Sequence, residues 1–245
     1  MLKRLRRLFK REKTSEDVLN ELRRKGAVIG EDVHIYAPNH TRIDQTSPFL
    51  LKIGSHVRIT EGVVILTHDY AWSVLKCCKP EQGCSGAILG AQSPVEIGNH
   101  VFIGMNTIIT RGARIGDRVI IGAGSVVTGE CESDSVYAGN PARKISTLEA
   151  YYQKRKSLQF SEARKIALNY RERFNREPAR EVFDEYFMLF ATREEAEQTP
   201  AFRRKMELLD SYEATAGYMD ANPPMFDGYE AFLKACYDGS AHQAS

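Results

Sequence analysis

Between residues 95 and 129 the chain reads VEIGNHVFIGMNTIITRGARIGDRVIIGAGSVVTG, with an aliphatic residue at every sixth place: Ile97, Ile103, Ile109, Ile115, Ile121 and Val127. An amphipathic helix repeats its apolar residues every 3.6 positions and a strand every 2, so neither period explains a beat of six. With aliphatics at about a fifth of positions, six consecutive hits arise by chance roughly once in ten thousand starts. The same beat shows at Ile29 and Ile35, blurs through RIDQTSPFLL, returns at Ile53, Ile59 and Ile65, and resumes at Ile97. Ile65 and Ile97 are 32 places apart, a spacing that six does not divide, so a loop is expected from about Asp69 to Pro94.

If each six residues make one short strand and a tight corner, three units form a triangular coil, and successive coils stack about 4.8 Å apart as parallel strands. The aliphatic residue points inward. Its successor is often glycine, at Gly54, Gly98, Gly104, Gly116 and Gly122, which suits a corner with unusual backbone angles. Four places after each aliphatic residue stands another compact one, at Val57, Val63, Val101, Thr107, Ala113, Val119 and Ser125, as a narrow interior requires. No unit buries its inward face alone, so stacking supplies the stability and the column needs capped ends.

The flanks differ in character. Residues 1–27 read as a helical segment, with Thr14 or Ser15 as a cap and Gly26 as a stop. Its first 13 residues, MLKRLRRLFKREK, hold seven Lys or Arg and place Leu2, Leu5, Leu8 and Phe9 on one helical face. That pattern fits either a terminal helix docked on its own protein or a weak membrane-surface contact through residues 1–13. Residues 147–245 are charged and helix-forming, with Ile166, Tyr170 and Phe174 at four-residue spacing, then Pro178 opening a helix with Val182, Tyr186 and Phe190. Two more helical windows run near 202–212 and 229–237, and the aromatics of all four read as core. Residues 28–146 lie between these flanks as the β region, with loop 69–94 inside it.

Several function classes are excluded. The balance of 34 basic against 32 acidic residues gives no global reason to expect nucleic acid. No secretory signal and no apolar run long enough to span a bilayer is present, and five irregularly spaced cysteines do not suggest a disulfide framework, so a cytoplasmic location is expected. Cys77, Cys78 and Cys84 lack the paired spacing of a zinc knuckle, and no metal is expected.

The units match the hexapeptide-repeat pattern, and VIIGAGSVVTGECESDSVYAGNPARKI resembles the closing coil and tail of hexapeptide acyltransferases. The chain is similar to maltose and galactoside O-acetyltransferases and to the O-acetyltransferases of surface-polysaccharide synthesis. The resemblance covers about residues 28 to 146. It implies an all-β left-handed parallel β-helix, here with an N-terminal helix and a C-terminal α-helical extension, and a homotrimer with acyl-CoA sites between subunits.

Acyl transfer to a hydroxyl needs a base, because a sugar OH is scarcely ionised at neutral pH. Histidine suits the task, with an ordinary pKa near 6.5. Of six histidines, His242 lies in the tail, and His34, His40, His56 and His100 sit where a polar residue faces water. His68 stands just before the loop departs, where a loop can wall off a pocket, and it matches the position of the family's catalytic histidine. Asp69 beside it admits two readings: orienting the ring, or facing solvent. By position the resemblance assigns Met105, Ala123, Thr128, Gly129, Arg143 and Lys144 to acetyl-CoA, with the last two suited to its phosphates through charge-assisted hydrogen bonds. Met105 is bulkier than the serine common there, and Ser146 stands where the galactoside enzymes place a second arginine. Asn39 and Asp44 align with residues that hydrogen-bond the saccharide, and Trp72 in the loop offers an aromatic face to a sugar or to a neighbouring subunit.

The expectation is an acetyl-CoA-dependent O-acetyltransferase acting on a saccharide, in surface polysaccharide synthesis. Two alternatives stay open: a nucleotide-sugar N-acyltransferase, and a non-catalytic β-helix scaffold whose helices bind another protein. A zinc hydratase of the same fold fails on spacing, since His56 and His68 are 12 residues apart and lie on different faces of one prism.

Overall fold

The computed structural model describes residues 12–238 apart from positions 80, 82, 84 and 85. Nearly all of the basic segment expected to touch a membrane surface, together with Cys84 and His242, lies outside the described residues. The chain divides into two compact units, residues 1–151 and 152–245.

The first unit is a left-handed parallel β-helix. Its first coil holds β1 (Val28–Ile29), β2 (His34–Ile35) and β3 (Arg42–Ile43), and its second β4 (Leu51–Ile53), β5 (Arg58–Ile59) and β6 (Val64–Ile65). A pair, β7 (His68–Asp69) and β8 (Ala91–Gln92), flanks the excursion before the third coil of β9 (Val95–Ile97), β10 (Phe102–Ile103) and β11 (Ile108–Ile109). The fourth coil holds β12 (Arg114–Ile115), β13 (Val119–Ile121) and β14 (Val126–Val127), and the last β15 (Glu130–Cys131) and β16 (Ser135–Ala138). Each wall is one sheet, ordered β1-β4-β9-β12-β15, β2-β5-β10-β13-β16 and β3-β6-β11-β14. β17 (Arg143–Thr147) folds back antiparallel on β16 and closes the second wall.

The inward residues run in register up each wall: Ile29, Ile53, Ile97, Ile115 and Cys131 on the first, Ile43, Ile65, Ile109 and Val127 on the third. Ile43 shows what blurs the beat. It comes eight residues after Ile35 and ten before Ile53, so corner insertions delay it while its burial matches the rest. The compact second set, from Val57 to Ser125, is 0–1% exposed.

The corners correct the expectation for glycine. Gly54, Gly98, Gly104 and Gly116 have no positive φ; a Cβ on any of them would come within 2.5–2.8 Å of atoms of the next coil, so they permit close stacking. The left-handed backbone falls two places later, at Asp32, His56, Gly62, His100, Asn106, Gly112, Arg118, Gly124 and Asp134, with φ between 49° and 80°. Along the first corner, side chains bridge successive coils: Ser55 N–H donates to Asn99 Oδ1, Asn99 N–H to Asp117 Oδ1, and Asp117 N–H to Ser133 Oγ.

Helix α1 (Ser15–Arg24) covers the open end. Thr14 and Asp17 form its capping box, Gly26 ends it at φ 95°, and Leu19 and Leu22 join the core cluster of the column.

The second unit is helical. α3 (Leu148–Phe174) follows the short loop helix α2 (Trp72–Leu75), and the remaining helices are α4 (Arg193–Gln198), α5 (Pro200–Glu207), α6 (Tyr212–Ala221) and α7 (Gly228–Asp238). Two expectations change here. The buried stripe of α3 is Ala163 and Ala167, small residues that admit close packing, while Phe174 is 58% exposed. After Pro178 the chain makes two 3-10 turns, Arg180–Phe183 and Phe187–Leu189, where a helix was expected. Phe183, Phe190, Phe202 and Phe232 are fully buried together, with Phe190 and Phe232 rings 4.9 Å apart.

Candidate active site

The corner that follows the third wall gathers the candidate catalytic residues. One place after each inward residue there stand Asp44, Leu66, Thr110 and Thr128, stacked coil on coil through Asp44 N–H to Ile65 O, Leu66 N–H to Ile109 O and Thr110 N–H to Val127 O. In the second coil the chain leaves this corner instead of rounding it. It returns through β8, whose Gln92 pairs with His68, and Ser93 N–H donates to Thr67 O. A recess of about 310 Å³ opens beside the departure, lined by Leu66, His68, Asp69, Thr110, Arg111 and Thr128.

His68 Nδ1 lies 2.5 Å from Asp44 Oδ2. An ionised carboxylate only accepts, so Nδ1 carries a proton, and Nε2 is the nitrogen that offers a lone pair whenever the ring is neutral. Asp44 is itself fixed. Its Oδ2 also accepts from Thr67 Oγ1 at 2.6 Å and Thr67 N–H at 3.1 Å, and Oδ1 accepts from Thr46 N–H at 2.8 Å. Burial pushes its pKa up, but the bonds from Thr67, Thr46 and His68 outweigh burial and hold the carboxyl well below the usual range.

This geometry corrects the expectation for Asp44. With its side chain 3% exposed and its oxygens occupied, it does not face an acceptor; it faces the histidine. Asp69 does not orient the ring. It accepts from Arg111 Nε and Ala71 N–H, and the Arg111 guanidinium holds its pKa below the usual value. Asn39 is engaged elsewhere, its amide exchanging two 3.1 Å bonds with the backbone of Lys13 at the start of α1. Trp72 is half-buried, with its ring 5.1 Å from Tyr70, which lies edge-on to His68 at 6.4 Å.

The residues expected at the acyl donor fall in three places. Thr128 lines the recess with His68 and Gly129 follows it, both exposed. Met105 and Ala123 stack on a different corner, between the second and third walls, where Gly124 N–H donates to Met105 O. Arg143 and Lys144 lie on β17, and Lys144 Nζ is paired with Glu132 at 2.7 Å, which raises its pKa.

Arg111, Thr110 and the Asp44 role were missed by sequence reading. The signal was Ile43: once it is read as a late inward residue, Asp44 falls in the same column as Thr110 and Thr128, and Arg111 one step beyond. His56 stacks on His100 at 4.6 Å and bonds Asp32, and no cluster of three or more His, Cys, Asp or Glu able to hold a metal occurs among the described residues.

Residues 94–129 match the family described as bacterial transferase hexapeptide (six repeats). Protein CapG of Staphylococcus aureus is 37% identical over 140 residues, which are 57% of this chain and 75% of CapG. Galactoside O-acetyltransferase of Escherichia coli K12 is 48% identical over 52 residues, 21% of this chain and 26% of that enzyme. Among solved structures, a maltose O-acetyltransferase from Clostridium difficile 630 aligns with TM-score 0.39 and 29% identity, over 59% of this chain and 83% of the other. The chain belongs to the hexapeptide-repeat transferases and is an acyltransferase.

Proposed function

We propose that the chain transfers an acetyl group from acetyl-CoA to a hydroxyl of a saccharide, in the synthesis of a surface polysaccharide. The observation that carries this reading is the Asp44–His68 pair opening on a recess shared with Thr128. His68 Nε2 takes the proton of the acceptor hydroxyl as its oxygen attacks the thioester carbonyl, and Asp44 stabilises the imidazolium that forms. The C–S bond then breaks, and the sulfur leaves as the CoA thiol with the proton from His68. The histidine ends as it began. Thr128 and Gly129 hold the acyl end, Met105 and Ala123 the pantetheine, and Arg143 and Lys144 the phosphates.

Met105 and Ala123 sit one corner away from His68, so a donor touching both columns is best supported if it lies between two copies of the chain, as in a homotrimer. Lys144 would exchange Glu132 for phosphate at little cost, since water screens an exposed ion pair. Trp72 and Tyr70 support an acceptor site at the loop side, where aromatic faces stack on sugars. The names of the galactoside and maltose enzymes support a sugar acceptor. The test is thiol release from acetyl-CoA with a panel of monosaccharide glycosides and analysis of the product. Ester formation that is lost in His68→Ala supports the proposal; an amide product, or no release and no CoA binding, overturns it.

A further inference from the structure

The helical unit holds a groove of about 650 Å³, larger than the recess at His68 and within the roughly 300–1,000 Å³ of small-ligand sites. One face of α3 forms a side of it, with Tyr152, Arg155, Lys156 and Gln159 at helical spacing. Met188, Leu189 and Met225 give it an apolar surface, and Tyr218 stands across from Tyr152 with the two hydroxyls 3.5 Å apart. Met188 and Met225 are 36% and 60% exposed, so soft apolar surface faces solvent here.

The polar groups of the groove are mostly spent. Both terminal nitrogens of Arg155 lie 2.7 Å from Glu162, Gln159 Nε2 donates to Arg155 O, and Asn222 Nδ2 donates to Tyr218 O. Lys156 makes no hydrogen bond or ion pair among the described residues. The surface of the groove is mainly apolar, which suits a hydrocarbon chain better than a saccharide or a nucleobase, and Lys156 adds an unpaired ammonium at its side. From this we infer that the helical unit binds an anionic amphiphile: an apolar chain lies along Met188, Leu189 and Met225, and its charged head meets Lys156. This site is separate from acetyl transfer and does not depend on it.

Calorimetric titration of the full chain with decyl phosphate, kept below its micellar concentration, tests the inference. A Kd below about 1 mM is expected, with inorganic phosphate and decanol each at least about tenfold weaker. Lys156→Gln should weaken decyl phosphate by about fivefold, and Met225→Asp by at least about tenfold through a charge placed against the chain. Both side chains are exposed, and an unchanged thermal midpoint shows that the variants fold. Absence of binding to the natural chain overturns the inference, as does phosphate binding as well as decyl phosphate. So does Met225→Asp altering the sedimenting mass with decyl phosphate affinity unchanged, which would assign the groove to a second copy.

Discussion

With Nδ1 tied to Asp44, His68 has one ring nitrogen left for an acceptor, and in the proposed reaction the two residues divide the work: one moves the proton, the other fixes the tautomer. Replacing His68 by Ala should lower kcat about 100- to 10,000-fold, roughly 3 to 5 kcal/mol, with a smaller drop in thermal midpoint than Asp44→Asn gives, because Asp44 loses the imidazole bond but keeps those from Thr67 and Thr46. Thiol-release kinetics beside a melting curve check both halves. Asp44→Asn should lower kcat and also stability, by about 1.5 to 3 kcal/mol for lost bonds to a charged group. The sign with pH follows from the depressed folded pKa. The carboxylate's contribution is fully present above the ordinary value near 3.9 and is lost as pH falls through the folded one, so the urea midpoints of the natural chain and Asp44→Asn should differ steadily from pH 8 to 5 and converge in stronger acid. A constant gap through pH 3 would mean that charge is not what Asp44 contributes. His68 was legible in the sequence because a loop interrupts a strict repeat there. Its partner was not, since 24 residues and a corner insertion separate Asp44 from it, and contact across coils leaves no mark in local spacing.

At the scale of the repeat unit, two glycine positions do different physical work and should answer substitution differently. Gly98 follows an inward isoleucine, and a Cβ there would stand 2.7 Å from the Gly116 backbone. Gly98→Ala must therefore push adjacent coils apart, costing about 1 to 3 kcal/mol. Gly124 occupies the left-handed corner at φ 70° with nothing within 4 Å, the slot filled by Asn106 and Asp134 in other units. Gly124→Asn should change stability by less than about 1 kcal/mol, and Gly124→Val by clearly more, since β-branching is poorly tolerated at positive φ. Denaturant midpoints of the three variants check the order. The period of six made the inward residues legible, because burial selects them by side-chain chemistry. The purpose of the glycines was not, because close approach and unusual φ both favour the same residue. In the helical unit the aromatic spacing of 182–190 points to a helix where two tight turns form. Apolar period alone does not separate a helix from turns that bury the same rings.

For the whole molecule, the division of the donor residues between two corners makes assembly a component of the proposed chemistry. Met105 and Ala123 lie on one edge of the prism and His68 with Thr128 on the next, so in the proposed arrangement neither edge alone would supply a full set of donor contacts. If the site forms between copies, the sedimenting mass should be about three times 27.7 kDa, and activity should fall on dilution to the monomer. A sharper check uses two inactive variants. Met105 is 47% exposed at its edge, so Met105→Trp should block the donor without unfolding the coil, while His68→Ala removes the base. Each variant alone then has no working site. Mixed in equal amounts by refolding together, they should recover about a quarter of the natural activity, because a site is intact only when one copy keeps its histidine and its neighbour keeps its donor edge. A site contained in one chain would recover nothing on mixing, since every copy would carry a lesion, and that result would return Met105 and Ala123 to the role of plain corner residues.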